Sequence, residues 1–158
     1  MQSRLGLGGD AAALESDVLL ACALRITREE LLIRPNSAAA PELCELFREF
    51  IARRCTGEPV AYILGVKEFY SLRFAVNRSV LIPRPETEFV VEHGLGFLRQ
   101  RTAGHGPLNG GYLVLDVGTG SGAIVVSLAC ALRKESGEEG LSRGMFIGLD
   151  CSFAALKV

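Results

Sequence analysis

Three glycines at alternating positions, Gly118, Gly120 and Gly122, stand between an apolar run carrying an acid and an apolar helical pattern. The order is Tyr112–Leu113–Val114–Leu115–Asp116–Val117, then Gly118–Thr119–Gly120–Ser121–Gly122, then a predicted helix from Ala123 to Arg133. Glycine permits positive φ and lets the backbone come close to a ligand. The helix start that follows offers unpaired N–H groups to an anionic ligand part. A second apolar run, Met145–Leu149, ends in Asp150, and an acid at the carboxyl end of such a strand can accept from two vicinal ribose hydroxyls. Together these residues suit a ribose-bearing ligand without choosing it. Gly118, Gly120 and Ala123 meet a loose dinucleotide fingerprint, Gly-x-Gly-x-x-Gly/Ala. Against a dinucleotide, Asp150 comes 28 residues after Gly122, which is late, and Asp116 has no part in that fingerprint. In a methyltransferase an acid at 116 would sit near the charged amino-acid end of S-adenosylmethionine and help hold the glycine turn. Both ligands stay open at this point, as do others or none.

The elements around this loop read as follows. Residues 1–12 look like a frayed start. From Leu14 to Leu24 apolar residues recur at spacings of three and four, predicting a helix. Thr27 is placed to cap a short helix through Ile33, with Glu30 at its third position, and Pro35–Asn36–Ser37 breaks it. Pro41 fits the first position of another helix, whose face Leu43, Cys44, Leu46, Phe47, Phe50 and Ile51 would be apolar and which Gly57 would end. Beyond Pro59–Gly65 the pattern turns strand-like, and Asn77–Arg78–Ser79 is the expected turn of a hairpin between Leu72–Val76 and Val80–Ile82. Pro83 and Pro85 stiffen the chain around Arg84, and a helix weakened by Gly94 and Gly96 should run from Pro85 to about Gln100. The run 112–117 is apolar nearly throughout, as expected of a parallel strand covered on both faces. Residues 134–144 read as a solvated loop, and Ser152 as the cap of a helix near the chain's end.

Composition bounds the classes. The 158 residues carry 17 Lys and Arg against 18 Asp and Glu, a formal net charge of −1, with 49% hydrophobic residues. A core is affordable and a wholly disordered chain is excluded. No dense positive field is present to hold a phosphate backbone, so no direct nucleic-acid partner is expected. No apolar run approaches the roughly 20 residues that span a bilayer, and the N-terminus lacks a signal-peptide core, so no membrane partner and a cytoplasmic home are expected, or a mitochondrion or plastid if a targeting segment is missing. Cys22, Cys44, Cys55, Cys130 and Cys151 show no zinc-site spacing and are expected as small buried thiols without disulfides; no metal is expected. His93 and His105 read as exposed residues rather than ligands or bases.

Three linked segments carry a resemblance. Gly57–Gly65 followed by Glu68–Phe69–Tyr70, the segment Val80–Leu81–Ile82–Pro83–Arg84–Pro85–Glu86–Thr87–Glu88, and Val114–Ile124 occur in this order, with Leu149–Ser152 and Ala154–Leu156 behind them. The sequence resembles the release-factor glutamine N5-methyltransferases, which methylate the glutamine of the Gly-Gly-Gln motif in class 1 peptide release factors. The glycine motif is common among methyltransferases, whereas the segment 80–88 is much more specific. The resemblance implies an α/β fold in three parts. These are an N-terminal helical domain over 1–57 that helps recognise the release factor, a linker with a β-hairpin over 58–84, and the first β-α-β part of a Rossmann-like methyltransferase domain over 85–158. It also implies S-adenosyl-L-methionine as cofactor, with Asp116, Gly118, Thr119, Gly120 and Gly122 around the donor's amino-acid part and Asp150 on its ribose. Arg84, Pro85, Glu86 and Thr87 then lie on the substrate side of the active site.

One departure limits the resemblance. The family's catalytic Asn-Pro-Pro-Tyr motif does not occur in these 158 residues, so no catalytic residue is assigned. The expectation is therefore an inactive piece of an enzyme, dependent on a missing C-terminal half, with the apolar faces of Leu113, Val114 and Ile147 left short of cover. Two other readings stand beside it: a non-catalytic module that binds a release factor or another protein, and a piece of a dinucleotide enzyme.

Overall fold

The computed structural model describes residues 8–33, 39–103, 112–141 and 144–158. They form an α/β chain of two compact units that part between Gly65 and Val66. Pro35–Ser37 and His105 lie outside the described residues.

The first unit is helical: α1 (Gly9–Leu24), α2 (Arg28–Ile33), α3 (Pro41–Cys55) and α4 (Val60–Leu64). Helix α1 begins within the stretch expected to fray, at Gly9, behind an extended Gly8. It ends through Arg25 in the left-handed region (φ 57°), whose successor Ile26 donates its N–H back to the Ala21 carbonyl at 3.0 Å. Thr27 and Glu30 then form a reciprocal capping box: the Thr27 N–H donates to Glu30 Oε2 at 2.8 Å, and the Glu30 N–H to Thr27 Oγ1 at 3.1 Å. Pro41 occupies the first turn of α3, where its missing N–H leaves no bond unmade. The expected face of α3 does turn inward. Phe50 joins Leu19, Ala23 and Ile63 in a buried cluster, and Leu46, Phe47 and Ile51 pack against it. Two bidentate ion pairs close the unit, Arg54 to Glu15 (2.9 and 3.2 Å) and Arg53 to Glu58 (2.9 and 3.0 Å).

The second unit opens with a hairpin, β1 (Val66–Phe69) antiparallel to β2 (Leu72–Ala75). Its turn is Tyr70–Ser71, both at positive φ (50° and 57°), ahead of the expected turn at Asn77–Ser79, so that Leu72–Ala75 is the second strand of the hairpin and not the first. Asn77–Ser79 does turn, with Asn77 Oδ1 accepting the Ser79 N–H at 2.8 Å, but Val80–Ile82 is not a strand. The hairpin signal was misleading because neither Tyr70 nor Ser71 is a residue that usually marks a left-handed turn. A short 3-10 turn, Pro85–Thr87, leads into α5 (Glu88–Ala103). Gly94 does not merely weaken α5: a Cβ there would come within 3.0 Å of Leu128 Cδ2, so its absence brings α5 against the next helix.

That helix, α6 (Ala123–Leu141), joins β3 (Tyr112–Val117) to a parallel β4 (Gly144–Leu149), with Tyr112 opposite Gly144 and Val117 opposite Leu149. Residues 134–141, expected as loop, continue α6. Lys134 and Glu135 are good helix formers, and Glu135 is held by Arg99 of α5 through a two-pronged ion pair. A core of Phe69, Phe74, Val91, Leu95, Ala123, Leu128 and Leu132 fills the space under the sheet, with Tyr112, Val114 and Phe146 packed on it. Among the described residues the sheet is therefore covered on one face, not two. Leu113 (62% exposed), Leu115, Val117 (76%), Met145 and Leu149 lie on the bare face, while Val114, expected to lack cover, sits on the packed side. None of the cysteines is fully buried. Cys22 and Cys151 are exposed, Cys22 because it points outward from α1 between the buried Ala21 and Ala23, and all five are free thiols.

Candidate functional site

The strand register sets the site. Asp116 of β3 lies opposite Gly148 of β4, and the strands end side by side at Val117 and Leu149. The Leu149 carbonyl accepts two N–H groups from the incoming loop, Gly118 at 2.7 Å and Thr119 at 2.9 Å, so the turn is pinned to the end of the neighbouring strand. All three glycines take positive φ: 83° at Gly118, 55° at Gly120 and 76° at Gly122. A side chain at any of them would be strained by backbone conformation. At Gly118 and Gly120 an added Cβ would meet nothing within 4 Å, so the loop keeps open space beside its backbone.

Asp116 and Asp150 hold this turn from two sides. Thr119 Oγ1 donates to Asp116 Oδ2 at 2.8 Å. The Gly120 N–H donates to Asp150 Oδ2 at 2.9 Å, and the Ser152 N–H to Asp150 Oδ1 at 2.8 Å. The structure thus brings Asp116, Gly118, Thr119, Gly120, Gly122 and Asp150 into one constellation at the carboxyl ends of adjacent parallel strands. Those two N–H donors, Ser152 first and Gly120 second, hold the Asp150 carboxyl below its ordinary range, with smaller help from Cys151. Asp150 is consequently an acceptor-only carboxylate at neutral pH, and each oxygen keeps a lone pair beyond the bond it already accepts.

The loop amides are less available than the sequence suggests. Those of Gly118, Thr119 and Gly120 are bonded as above, and Gly122 donates to the Thr119 carbonyl at 2.8 Å. What remains for an anionic group is the Ser121 N–H and the first turn of α6, where the Val126 N–H bonds the Gly122 carbonyl at 2.9 Å.

Arg84, Pro85, Glu86 and Thr87 form a separate feature. Arg84 is extended and exposed, and its carbonyl accepts the Thr87 N–H at 3.0 Å as the chain enters α5. Among the described residues no hydrogen bond or ion pair joins this segment to the glycine loop or to either aspartate. His93 is exposed and bonds the Phe89 carbonyl through Nδ1 at 2.7 Å, an intrahelical contact. Among the described residues no group of three or more His, Cys, Asp or Glu is gathered to hold a metal, and no helix is long and apolar enough to cross a membrane.

Sequence reasoning missed Gly148. A Cβ there would fall 2.8 Å from Thr119 Oγ1, so the strand must be bare at this point for Thr119 to lie across it and reach Asp116. A glycine inside an apolar strand is the signal that could have shown it, since it often marks a close approach of another chain segment.

Known proteins bear on the same two units. The family model of the PrmC N-terminal domain matches residues 3–65, ending where the helical unit ends. The chain is 45% identical over 126 residues to the release factor glutamine methyltransferase of Nitratidesulfovibrio vulgaris, an alignment covering 80% of this chain and 39% of that protein. It is 47% identical over 116 residues to the protein of the same name from Neisseria gonorrhoeae (73% and 39%), and 38% over 144 residues to that of Buchnera aphidicola subsp. Schizaphis graminum (91% and 46%). The chain spans less than half the length of these curated relatives. Alignments of this length reach past the helical unit into the one that carries the glycine loop. On both units, then, the chain is similar to release factor glutamine methyltransferases, and its helical unit matches the PrmC N-terminal domain.

Proposed function

We propose that these residues form the donor-binding part of an S-adenosylmethionine-dependent protein-glutamine N5-methyltransferase acting on the Gly-Gly-Gln motif of class 1 peptide release factors. The observation that supports it best is the bond from the Gly120 N–H to Asp150, which joins a left-handed glycine turn to an acid on the next parallel strand. The residues fit such a donor. Asp150 stays ionised and can accept from vicinal hydroxyls with its remaining lone pairs. The open space beside Gly118 and Gly120 admits close backbone approach, and the first turn of α6 can meet a carboxylate. Asp116 acts through Thr119, holding the turn in place.

S-adenosylmethionine, when bound, supplies a methyl group on a sulfonium leaving group. What a protein must add is orientation of the amide and a place for its developing charge. We assign neither task to a residue of this chain. Residues 1–158 hold the donor without completing transfer, and the helical unit, which has its own buried cluster, contributes the contact with the release factor. Arg84–Thr87 belongs to the substrate side in this reading.

Calorimetric titration with S-adenosylmethionine and with NAD tests the donor assignment. The methyl donor should bind and NAD should not, and Asp150→Ala should weaken the donor by about tenfold or more, the scale of a hydrogen bond to a charged group. NAD binding without a response to S-adenosylmethionine would reject the reading. Methyl transfer to a release factor, assayed for residues 1–158 beside a chain extended to the length of the relatives, should appear only in the longer protein.

A further inference from the structure

The second unit contains a cavity of about 520 Å3 that belongs to a different part of the fold from the glycine loop. Its walls are the hairpin turn 68–72, Glu88 at the start of α5, and one face of α6 from Ser127 to Lys134. At a rise of about 1.5 Å per residue, Ser127, Cys130 and Lys134 stand roughly 6, 10 and 16 Å along α6 from its first residue, so the cavity runs down the helix away from its N-terminus. Its volume falls within the roughly 300–1,000 Å3 usual for small-molecule sites.

Ser127 is the unusual member of the lining. It is fully buried, at 0% exposure, and its Oγ has no hydrogen-bond partner among the described residues. A helical serine commonly bonds back to the carbonyl four residues earlier, and this one does not. Buried hydroxyls left unpaired are few in folded proteins, and this one belongs to a residue of the cavity wall. Glu88 is the second fixed group. Its Oε1 accepts the Tyr70 N–H at 2.9 Å, which anchors the carboxylate beside the turn and leaves the other oxygen to accept elsewhere. Glu68, on β1, adds a second and more exposed carboxylate. Against these stand one cation, Lys134, and an apolar wall from Phe69, Leu72 and Ala131. The lining is therefore acidic by one charge, with an apolar side and acceptors on three different elements.

We propose that this cavity binds a primary ammonium group carried on a short apolar body. An ammonium has three N–H donors, and the carboxylates of Glu88 and Glu68 with the Ser127 hydroxyl supply three acceptors. The apolar body lies against Phe69, Leu72 and Ala131. Lys134 disfavours a second positive charge at the far end of the ligand. The same chemistry comes from a free amine or from a lysine side chain of a peptide. This site stands independently of the donor assignment.

Cys130 lines the cavity and reports on it without substitution. The rate of its alkylation by iodoacetamide, read by mass spectrometry of the peptide that contains it, is measured in the native chain with rising benzylammonium, acetyl-lysine amide or neutral benzyl alcohol. Saturable protection by an amine and none by benzyl alcohol is expected. Protection by benzylammonium alone identifies a free amine as the ligand, and protection by acetyl-lysine amide identifies a lysine side chain. Glu88→Gln keeps an acceptor for the Tyr70 N–H and should weaken the amine at least tenfold. Ser127→Ala should weaken it several-fold without lowering the unfolding midpoint, and Glu68→Gln, at an exposed position, should weaken it in a fully folded protein. Equal protection by benzyl alcohol, absence of saturable protection by either amine, or unchanged amine binding in these variants would overturn the proposal.

Discussion

The two faces of the β3–β4 pair carry similar side chains in opposite surroundings. On one, Tyr112, Val114 and Phe146 rest on the core, with Tyr112 and Phe146 edge to face at 5.8 Å between ring centres. On the other, Leu113, Leu115, Val117, Met145 and Leu149 are exposed. Along β3 burial alternates residue by residue although the sequence does not. An apolar strand sequence therefore says that both faces tolerate burial, and only the helices present decide which face receives it. The candidate site follows the packed face: Asp116 and Gly148 point the same way along their strands as Val114 and Phe146, and Thr119 lies on that side across Gly148.

The largest contrast should come from the core beneath the packed face. Leu95 of α5 is 1% exposed and belongs to the cluster on which Val114 and Phe146 sit. Leu95→Ala should cost about 2–5 kcal/mol in denaturant unfolding, the transfer and cavity terms together. A loss under about 1 kcal/mol would mean that the packed face is no better supported than the bare one. Next is Gly148→Val, which pushes a branched side chain into Thr119 and forces it off Asp116. Overpacking of this kind costs about 1–3 kcal/mol, and donor affinity should fall with it because the turn loses one of its two acidic anchors. Unaltered stability and unaltered donor titration would show that Thr119 and Asp116 do not hold the loop.

Gly120→Ala separates conformation from space. Its Cβ would meet nothing within 4 Å, yet φ is 55°. A loss of about 1–2 kcal/mol is expected from the left-handed backbone alone. The same measurement at neutral stability would indicate that the loop relaxes to negative φ without harm.

How much of this was legible depended on whether the cause was local. Thr27 with Glu30 and Pro41 at a helix start rest on contacts within a few residues, and each is where the spacing put it. The glycine turn between β3 and α6 was legible from its own residues, although Leu149 and Asp150 of the neighbouring strand end also hold it. Asp150 beside Gly120 was legible for a related reason: a β-α-β connection returns its second strand alongside the first, so the two strand ends meet. The Tyr70–Ser71 turn was not, because its side chains announce nothing and the pairing of β1 with β2 imposes the positive φ. Neither was the continuation of α6 beyond Arg133, to which the Arg99–Glu135 ion pair contributes from another helix. The bare sheet face was missed in part for the same reason. Exposure of Leu113 was expected, but no pattern in β3 distinguishes Leu113 from Val114.

The pH dependence of the site follows from Asp150. Its folded pKa is lowered by the Ser152 and Gly120 N–H groups, so the stabilisation it brings is complete above the ordinary aspartate range. It is lost as pH falls through that range to the lower folded value. Unfolding measured from neutral pH downward should therefore show a shallow loss that disappears in Asp150→Asn, and an identical acid profile in the variant would remove the carboxylate from this role.

The smallest effect belongs to the bare face, and it tests the comparison most directly. Leu115 is 51% exposed and lies between the exposed Leu113 and Val117. Leu115→Thr keeps a branched, strand-compatible side chain while removing apolar surface that already meets water. Surface substitutions of this sort stay within about 0.5 kcal/mol, against the several expected at Leu95. If unfolding of residues 1–158 instead shows a loss approaching that of a core leucine, the face is covered in solution by a second copy of the chain.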